Sequence, residues 1–86
     1  MPEYALRFAR AARRDLEALD TVMVQRLFPA IESLAREPRP RDCRKVQGAD
    51  KLWRIRVGDY RVLYTIDDQT RIIDILAIRH RSDAYR

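Results

Sequence analysis

The sequence is poor in several residue types, and each shortage excludes a class of protein. With Cys43 as the single cysteine, the chain cannot form an internal disulfide or a zinc site made of thiolates. One histidine, His80, and scattered carboxylates also argue against a transition-metal site, so we expect neither a metal nor another cofactor. No apolar run approaches the ~20 residues that span a membrane, and the N-terminal residues lack the apolar core of a secretory signal. We therefore expect a protein of the reducing cytoplasm with no membrane partner.

Glycine and proline are also few, at 2 and 4 residues, which is unlike a linker or a fibrous protein. Hydrophobic residues make up 47% of the chain, which is enough for a folded core. Because 86 residues are too few for two independent cores, we predict a single domain over residues 1–86.

The positive charge is large and is almost entirely due to arginine. The formal net charge is +5, and of 18 basic residues only Lys45 and Lys51 are lysines. A guanidinium group binds phosphate or carboxylate with two parallel hydrogen bonds and stays charged near neutral pH, so the composition favours an anionic partner. A GC-rich genome would enrich arginine as well. The positions of the arginines must therefore decide between the two interpretations.

The first half of the sequence predicts one strand and two helices. Residues 4–8 alternate in polarity, as in a half-buried strand. Apolar residues recur at helical spacing in residues 9–19 and again in residues 22–36, with Asp20 between them as the N-cap of the second helix. Pro29 lies within the second helix, where we expect a kink or a break.

The second half predicts antiparallel strands. The dipeptide Gly58-Asp59 is typical of a tight hairpin turn. A short edge strand is expected at residues 45–47, and longer strands are expected at 52–57, 60–66 and 71–78. One strand, two helices and then three or four antiparallel strands predict an α+β fold, in which both helices pack on one face of the sheet.

Three arginines are predicted to emerge together from the other face of this sheet. Around the hairpin turn, Arg54, Arg56 and Arg61 alternate with apolar residues such as Trp53 and Tyr64, which we assign to the core. The last strand is apolar on both faces, so its alternation is undecided. Such a cluster suits RNA, because cleavage without a metal needs deprotonation of the 2′-OH and fixed cations beside the phosphorane. The alternative is a solvated face on which arginine only adds solubility.

The whole chain resembles the RelE/ParE superfamily of toxins from bacterial type II toxin–antitoxin systems. Besides a strand and a helical hairpin, the resemblance covers residues 45–48 (KVQG), 52–67 (LWRIRVGDYRVLYTID) and 79–86 (RHRSDAYR). RelE-like members end in a basic stretch followed by a tyrosine, as Arg79, Arg81 and Tyr85 do here, whereas ParE-like gyrase inhibitors usually lack that tyrosine. The resemblance implies a metal-independent endoribonuclease that cleaves mRNA in the ribosomal A site, beside 16S rRNA, and that is neutralised by a cognate antitoxin.

The resemblance also implies roles for individual residues. Arg56 matches the residue with the general-base role, and Arg54 matches one that stabilises the phosphate. Arg61 matches a second phosphate-stabilising arginine, Arg79 the one that acts on the leaving 5′-oxygen, and Tyr85 the tyrosine that stacks on the mRNA base. Four further basic residues are predicted to bind RNA: Lys45, Lys51, Arg81 and Arg86.

One feature departs from the best-studied RelE pattern, which has lysine at the two positions before the hairpin turn. Here they are Arg54 and Arg56, and a guanidinium with a pKa above ~12 accepts a proton poorly near neutral pH. Either Arg56 acts only through its charge or His80 supplies the base, since an unperturbed histidine titrates near ~6.5.

Two other functions fit the same superfamily. A ParE-like toxin would inhibit DNA gyrase by binding and would not need these arginines and Tyr85 as a cooperating set. An inactive member would act only as a partner or co-repressor of its antitoxin. Loss of RNA cleavage on charge reversal of Arg61, with antitoxin binding retained, separates the nuclease from both.

Overall fold

The structure is a computed structural model that describes residues 3–81. In chain order it contains β1 (Ala5–Phe8), α1 (Arg10–Glu17), α2 (Thr21–Ser33), β2 (Arg44–Lys45), β3 (Trp53–Val57), β4 (Tyr60–Asp67) and β5 (Ile72–His80). This order confirms the predicted α+β fold. The edge strand β2 is shorter than predicted and begins one residue earlier.

The five strands form one sheet in the order β1-β5-β4-β3-β2. Strands β2 to β5 are joined by antiparallel ladders, as predicted. Strand β1 joins the other edge in parallel to β5, with Ala5 opposite Ile72 and Phe8 opposite Ile75. A parallel pair needs a long crossover connection, which the two helices and the rest of the sheet provide.

Helix α2 begins after Asp20, as predicted, and ends at Ser33, before the predicted end at residue 36. The Asp20 side chain accepts a hydrogen bond from the backbone N–H of Met23 at 2.8 Å and caps the helix. The helix then runs through Pro29 to Ser33, so the predicted alternative of a break is wrong. Leu27 and Ile31, on either side of the proline, are fully buried, and their packing favours the continuous helix over a loop.

The core lies between the helices and one face of the sheet. Its fully buried members from α2 and the turn after it are Leu27, Ile31 and Leu34, and those from the sheet include Val62, Tyr64, Ile73 and Ile75. The Tyr64 hydroxyl donates a hydrogen bond to the Pro38 carbonyl at 2.8 Å, and burial raises the pKa of this hydroxyl. Trp53 and Tyr60 pack against the same core, as predicted. Over residues 3–81, no helix is long and apolar enough to cross a membrane.

A β-bulge in β5 changes which side chains face the core. Tyr64 on β4 lies opposite Ile75, but its neighbour Leu63 lies opposite Ala77, so Leu76 is an extra residue on β5. The extra residue reverses the alternation of side chains beyond it. Ile78, which is 4% exposed, therefore faces the core as Ile75 does.

Candidate active site

The face of the sheet opposite the helices, here called the open face, presents arginines from three adjacent strands. Arg54 and Arg56 come from β3, Arg61 from β4 and Arg79 from β5. In the strand register, Arg56 lies opposite Arg61, and Arg61 in turn lies opposite Arg79. We call Arg56, Arg61 and Arg79 the arginine row. The structure thus brings together four of the six residues predicted to be catalytic.

A second row of cross-strand neighbours lies on the same face, two residues along each strand from the arginine row. Arg44 on β2 lies opposite Arg54, followed by Leu63 on β4 and Ala77 on β5. The Arg44 guanidinium donates hydrogen bonds to the carbonyls of Arg41 and Cys43, at 3.2 and 2.9 Å. Sequence reasoning missed Arg44 because it placed the edge strand one residue later. Alternation along the shorter strand Arg44–Lys45 is the signal that would have found it.

Direct opposition of like charges destabilises a sheet, and the electrostatics of the open face show this repulsion. The pKa of Arg54 is lowered by burial and then by the nearby charges of Arg56, Arg61 and Arg44. The three ion pairs found within residues 3–81 include none of Arg54, Arg56 and Arg79. An anionic ligand would relieve the repulsion.

A cleft of about 580 Å³ lies on this face. Leu63 and Val46 give it an apolar part, and the arginines give it a cationic one. This combination suits a nucleotide, whose base is flat and largely apolar on its faces and whose phosphate is anionic. The lining residues are Lys45, Val46, Gln47, Arg54, Arg61, Leu63 and Arg79. Val46 and Gln47 were not predicted as site residues.

Comparison with known proteins identifies the family. The family model described as the ParE toxin of type II toxin–antitoxin systems, parDE, matches residues 6–85. The chain belongs to the RelE/ParE superfamily of toxins. Toxin RelG of Mycobacterium tuberculosis is 38% identical over 88 residues, covering 96% of this chain and 97% of RelG. RelE1 of Methanocaldococcus jannaschii is 33% identical over 76 residues, which cover 85% of this chain and 84% of RelE1.

A solved structure supports the same assignment. The toxin–antitoxin complex RelBE2 of M. tuberculosis contains a chain that is 34% identical to this toxin. The match covers 94% of this toxin and 100% of that chain, with a TM-score of 0.81. The RelE/ParE resemblance and its fold are thereby confirmed.

His80 lies on the other face of the sheet from the arginine row. It is opposite Tyr60 in the register, and the two rings meet edge to face with centroids 5.1 Å apart. Tyr60 packs against the core, so the imidazole lies on the helix side of β5. The bulge at Leu76 is the cause, because it turns Arg79 onto the open face and His80 away from it. The geometry therefore does not support His80 as the general base.

The residues predicted to bind RNA are spread over several places. Arg81 lines a cavity of about 280 Å³ with Arg56 and Arg61, and its backbone N–H donates to the Asp59 carbonyl at 2.7 Å. Lys45 borders the main cleft, but its ammonium lies 5.9 Å from the centre of the Trp53 ring. Lys51 lies in the loop before β3 and borders a different cavity, next to Trp53. Tyr85 and Arg86 lie outside the described residues.

Proposed function

We propose that this toxin is a metal-independent endoribonuclease of the bacterial cytoplasm, which cleaves mRNA in the ribosomal A site and thereby inhibits translation. The observation that supports this proposal is the arginine row. Three arginines from three adjacent strands lie opposite one another in the strand register, and two of them, Arg61 and Arg79, line a cleft of about 580 Å³. A sheet gains nothing in stability from this arrangement, whereas a polyanion bound across it gains several cationic contacts.

The row supplies fixed positive charge where cleavage of RNA develops negative charge. The 2′-hydroxyl loses its proton to water, its oxygen attacks the adjacent phosphorus, and a phosphorane forms. The bond to the 5′-oxygen then breaks, and this oxygen takes a proton from water, which leaves a 2′,3′-cyclic phosphate and a 5′-OH. We assign stabilisation of the phosphorane to Arg61 and Arg54, and stabilisation of the charge on the leaving 5′-oxygen to Arg79. Arg56 does not act as the base, because a guanidinium is a poor proton acceptor. Its positive charge instead stabilises the 2′-oxyanion.

The partner that neutralises the toxin is a cognate antitoxin. The M. tuberculosis relative is a toxin–antitoxin complex, and this chain offers both kinds of surface that such a partner needs. Acidic antitoxin residues would pair with the open face. Apolar antitoxin residues would cover helix α2, where Val22 and Phe28 are 69% and 43% exposed.

The test is to map the 5′ ends of a translated mRNA in a reconstituted translation reaction. We expect new 5′-OH ends at A-site codons with the toxin, only when ribosomes are present. Arg61→Ala should lower the cleavage rate by about 10²- to 10³-fold, the typical cost of removing a group that stabilises the transition state. Arg7→Gln is the matched control, because Arg7 lies on β1 and pairs with Asp74 on β5, away from the cleft. Intact mRNA with the wild-type toxin would refute the proposal.

The alternative is a ParE-like inhibitor of DNA gyrase, and the matching family model carries the ParE description. Inhibition of supercoiling by the wild-type toxin, together with intact mRNA in the translation reaction, would establish this alternative. If neither activity is found but antitoxin binding persists, the chain is an inactive partner of the antitoxin.

A further inference from the structure

A side chain of helix α1 forms a hydrogen bond with the backbone of β5 beside the arginine row. The Asp15 carboxylate accepts from the N–H of Ile78 at 2.8 Å, in a partly buried position. Strand β1 pairs with β5 as far as Ile75, and just after β1 the Ala9 N–H donates to the Ile75 carbonyl at 2.9 Å. Beyond that point helix α1 takes the place of a neighbouring strand, and Asp15 supplies the acceptor.

This hydrogen bond lies two residues after the bulge at Leu76 and one residue before Arg79. The bulge decides the face on which each later side chain lies. In the bulged register Ile78 and His80 face the helices and Arg79 faces the cleft. With regular pairing the alternation would be reversed, so that Arg79 would point to the helix side and His80 to the open face.

We propose that Asp15 is a positioning residue that holds β5 in the bulged register and so keeps Arg79 in the arginine row. The inference concerns how the site is built and rests on the proposed function only for its activity readout. An N–H without an acceptor in a partly buried place is unfavourable, so loss of the carboxylate makes the bulged register less stable. Burial of Ile78 favours the same register, so the loss should be graded rather than complete.

The first measurement is spectroscopic and needs no RNA. In the wild type, we expect the edge-to-face contact with Tyr60 to shift the proton resonances of the His80 ring, and we expect the hydrogen-bonded Ile78 amide to exchange slowly with solvent. Asp15→Ala should move the His80 resonances towards those of a free imidazole and speed the exchange of the Ile78 amide. Asp15→Asn keeps a carbonyl acceptor and should retain both signals. Glu17→Ala is the matched control, because Glu17 is an exposed acidic residue on the same helix.

The second measurement is a double-mutant cycle on mRNA cleavage. Asp15→Ala should slow cleavage roughly tenfold, which corresponds to the loss of one partly buried hydrogen bond. Asp15→Asn should stay within about threefold of the wild type, and Glu17→Ala should be unchanged. In the background of Arg79→Ala, Asp15→Ala should have no further effect, because the residue that it positions is absent.

The outcomes separate the two proposals. Three results would each overturn the positioning role. The first is an unchanged His80 signal in Asp15→Ala, and the second is a full additional loss of cleavage rate when Asp15→Ala is added to Arg79→Ala. The third is unfolding of Asp15→Ala while Asp15→Asn and Glu17→Ala remain folded. If the wild type does not cleave mRNA at all, the proposed function fails, and the spectroscopic result still decides the role of Asp15.

Discussion

The two ends of the open face use arginine in opposite ways. At one end, Arg7 on β1 lies opposite Asp74 on β5, and the guanidinium bonds both carboxylate oxygens, at 2.8 and 3.1 Å. At the other end, Arg61 has an arginine opposite it on each side. The first arrangement favours the folded sheet, and the second opposes it. The comparison shows that the sheet tolerates repulsion in the arginine row, where we propose that a polyanion binds.

The same contrast explains why composition alone was ambiguous. A GC-rich genome would account for both Arg7 and Arg61, since the two residues are chemically identical. Their cross-strand neighbours differ: Arg7 lies opposite a carboxylate, which stabilises the sheet, whereas Arg61 lies opposite arginines, for which we propose a role in binding. Position in the sheet therefore distinguishes two arginines that the composition could not distinguish, and it supports the proposed binding role of Arg61.

The largest difference between the two ends is expected in RNA binding. Arg54→Gln should weaken binding of a single-stranded RNA oligonucleotide with 2′-O-methyl riboses, which cannot be cleaved. The slope of log affinity against log salt concentration should fall in magnitude by about 0.7, as one phosphate contact is lost. Arg7→Gln should change neither quantity. The measurement is fluorescence anisotropy at several salt concentrations, and equal slopes for the two variants would contradict the distinction.

A smaller difference is expected in stability, with opposite signs at the two ends. Arg56→Thr removes a like charge opposite Arg61 and introduces a good strand former, so the free energy of unfolding should rise by about 0.2–1 kcal/mol. Arg7→Gln removes an attractive pair, so the free energy of unfolding should fall. Urea denaturation of both variants at low salt checks the signs. A loss of stability in Arg56→Thr would show that repulsion between Arg56 and Arg61 does not destabilise the sheet.

The smallest effect is expected in how stability changes at acidic pH. Hydrogen bonds from Arg7 hold the pKa of Asp74 below its ordinary value of 3.8. A depressed carboxyl pKa contributes stability above the ordinary value, and this contribution is lost as the pH falls through the folded-state pKa. The wild type should therefore lose stability between about pH 5 and about pH 2, and Asp74→Asn should lose less over that range. Urea denaturation at both pH values compares the two proteins. If both lose the same free energy of unfolding, Asp74 does not contribute to the loss of stability in acid.

Much of the fold could be predicted because its signals are local. Alternation around Gly58 placed Arg54, Arg56 and Arg61 on one face, and the register confirms this. The Asp20 cap marked the start of α2. At Pro29 the local rule predicted a kink or a break, and the break is wrong because the rule omits the burial of the neighbouring Leu27 and Ile31.

The last strand shows where local signals end. Its apolar residues lie on both faces, so the sequence does not reveal that Leu76 is a bulge or that Arg79 and His80 point in opposite directions. The Asp15 bond to Ile78 joins residues 63 positions apart, and no motif marks it.

By itself the sequence determined that this chain has an α+β fold, that it is basic through arginine, and that it has the residue pattern of a RelE/ParE toxin. The fold and the charge follow from composition and from periodicities of a few residues, and the family follows from the resemblance of particular segments to known toxins. Only the tertiary structure decided that β1 closes the sheet in parallel, that Arg44 joins the open face, and that Arg79 rather than His80 completes the arginine row. Each of these depends on contacts between distant parts of the chain, which select one register among several that the local pattern allows.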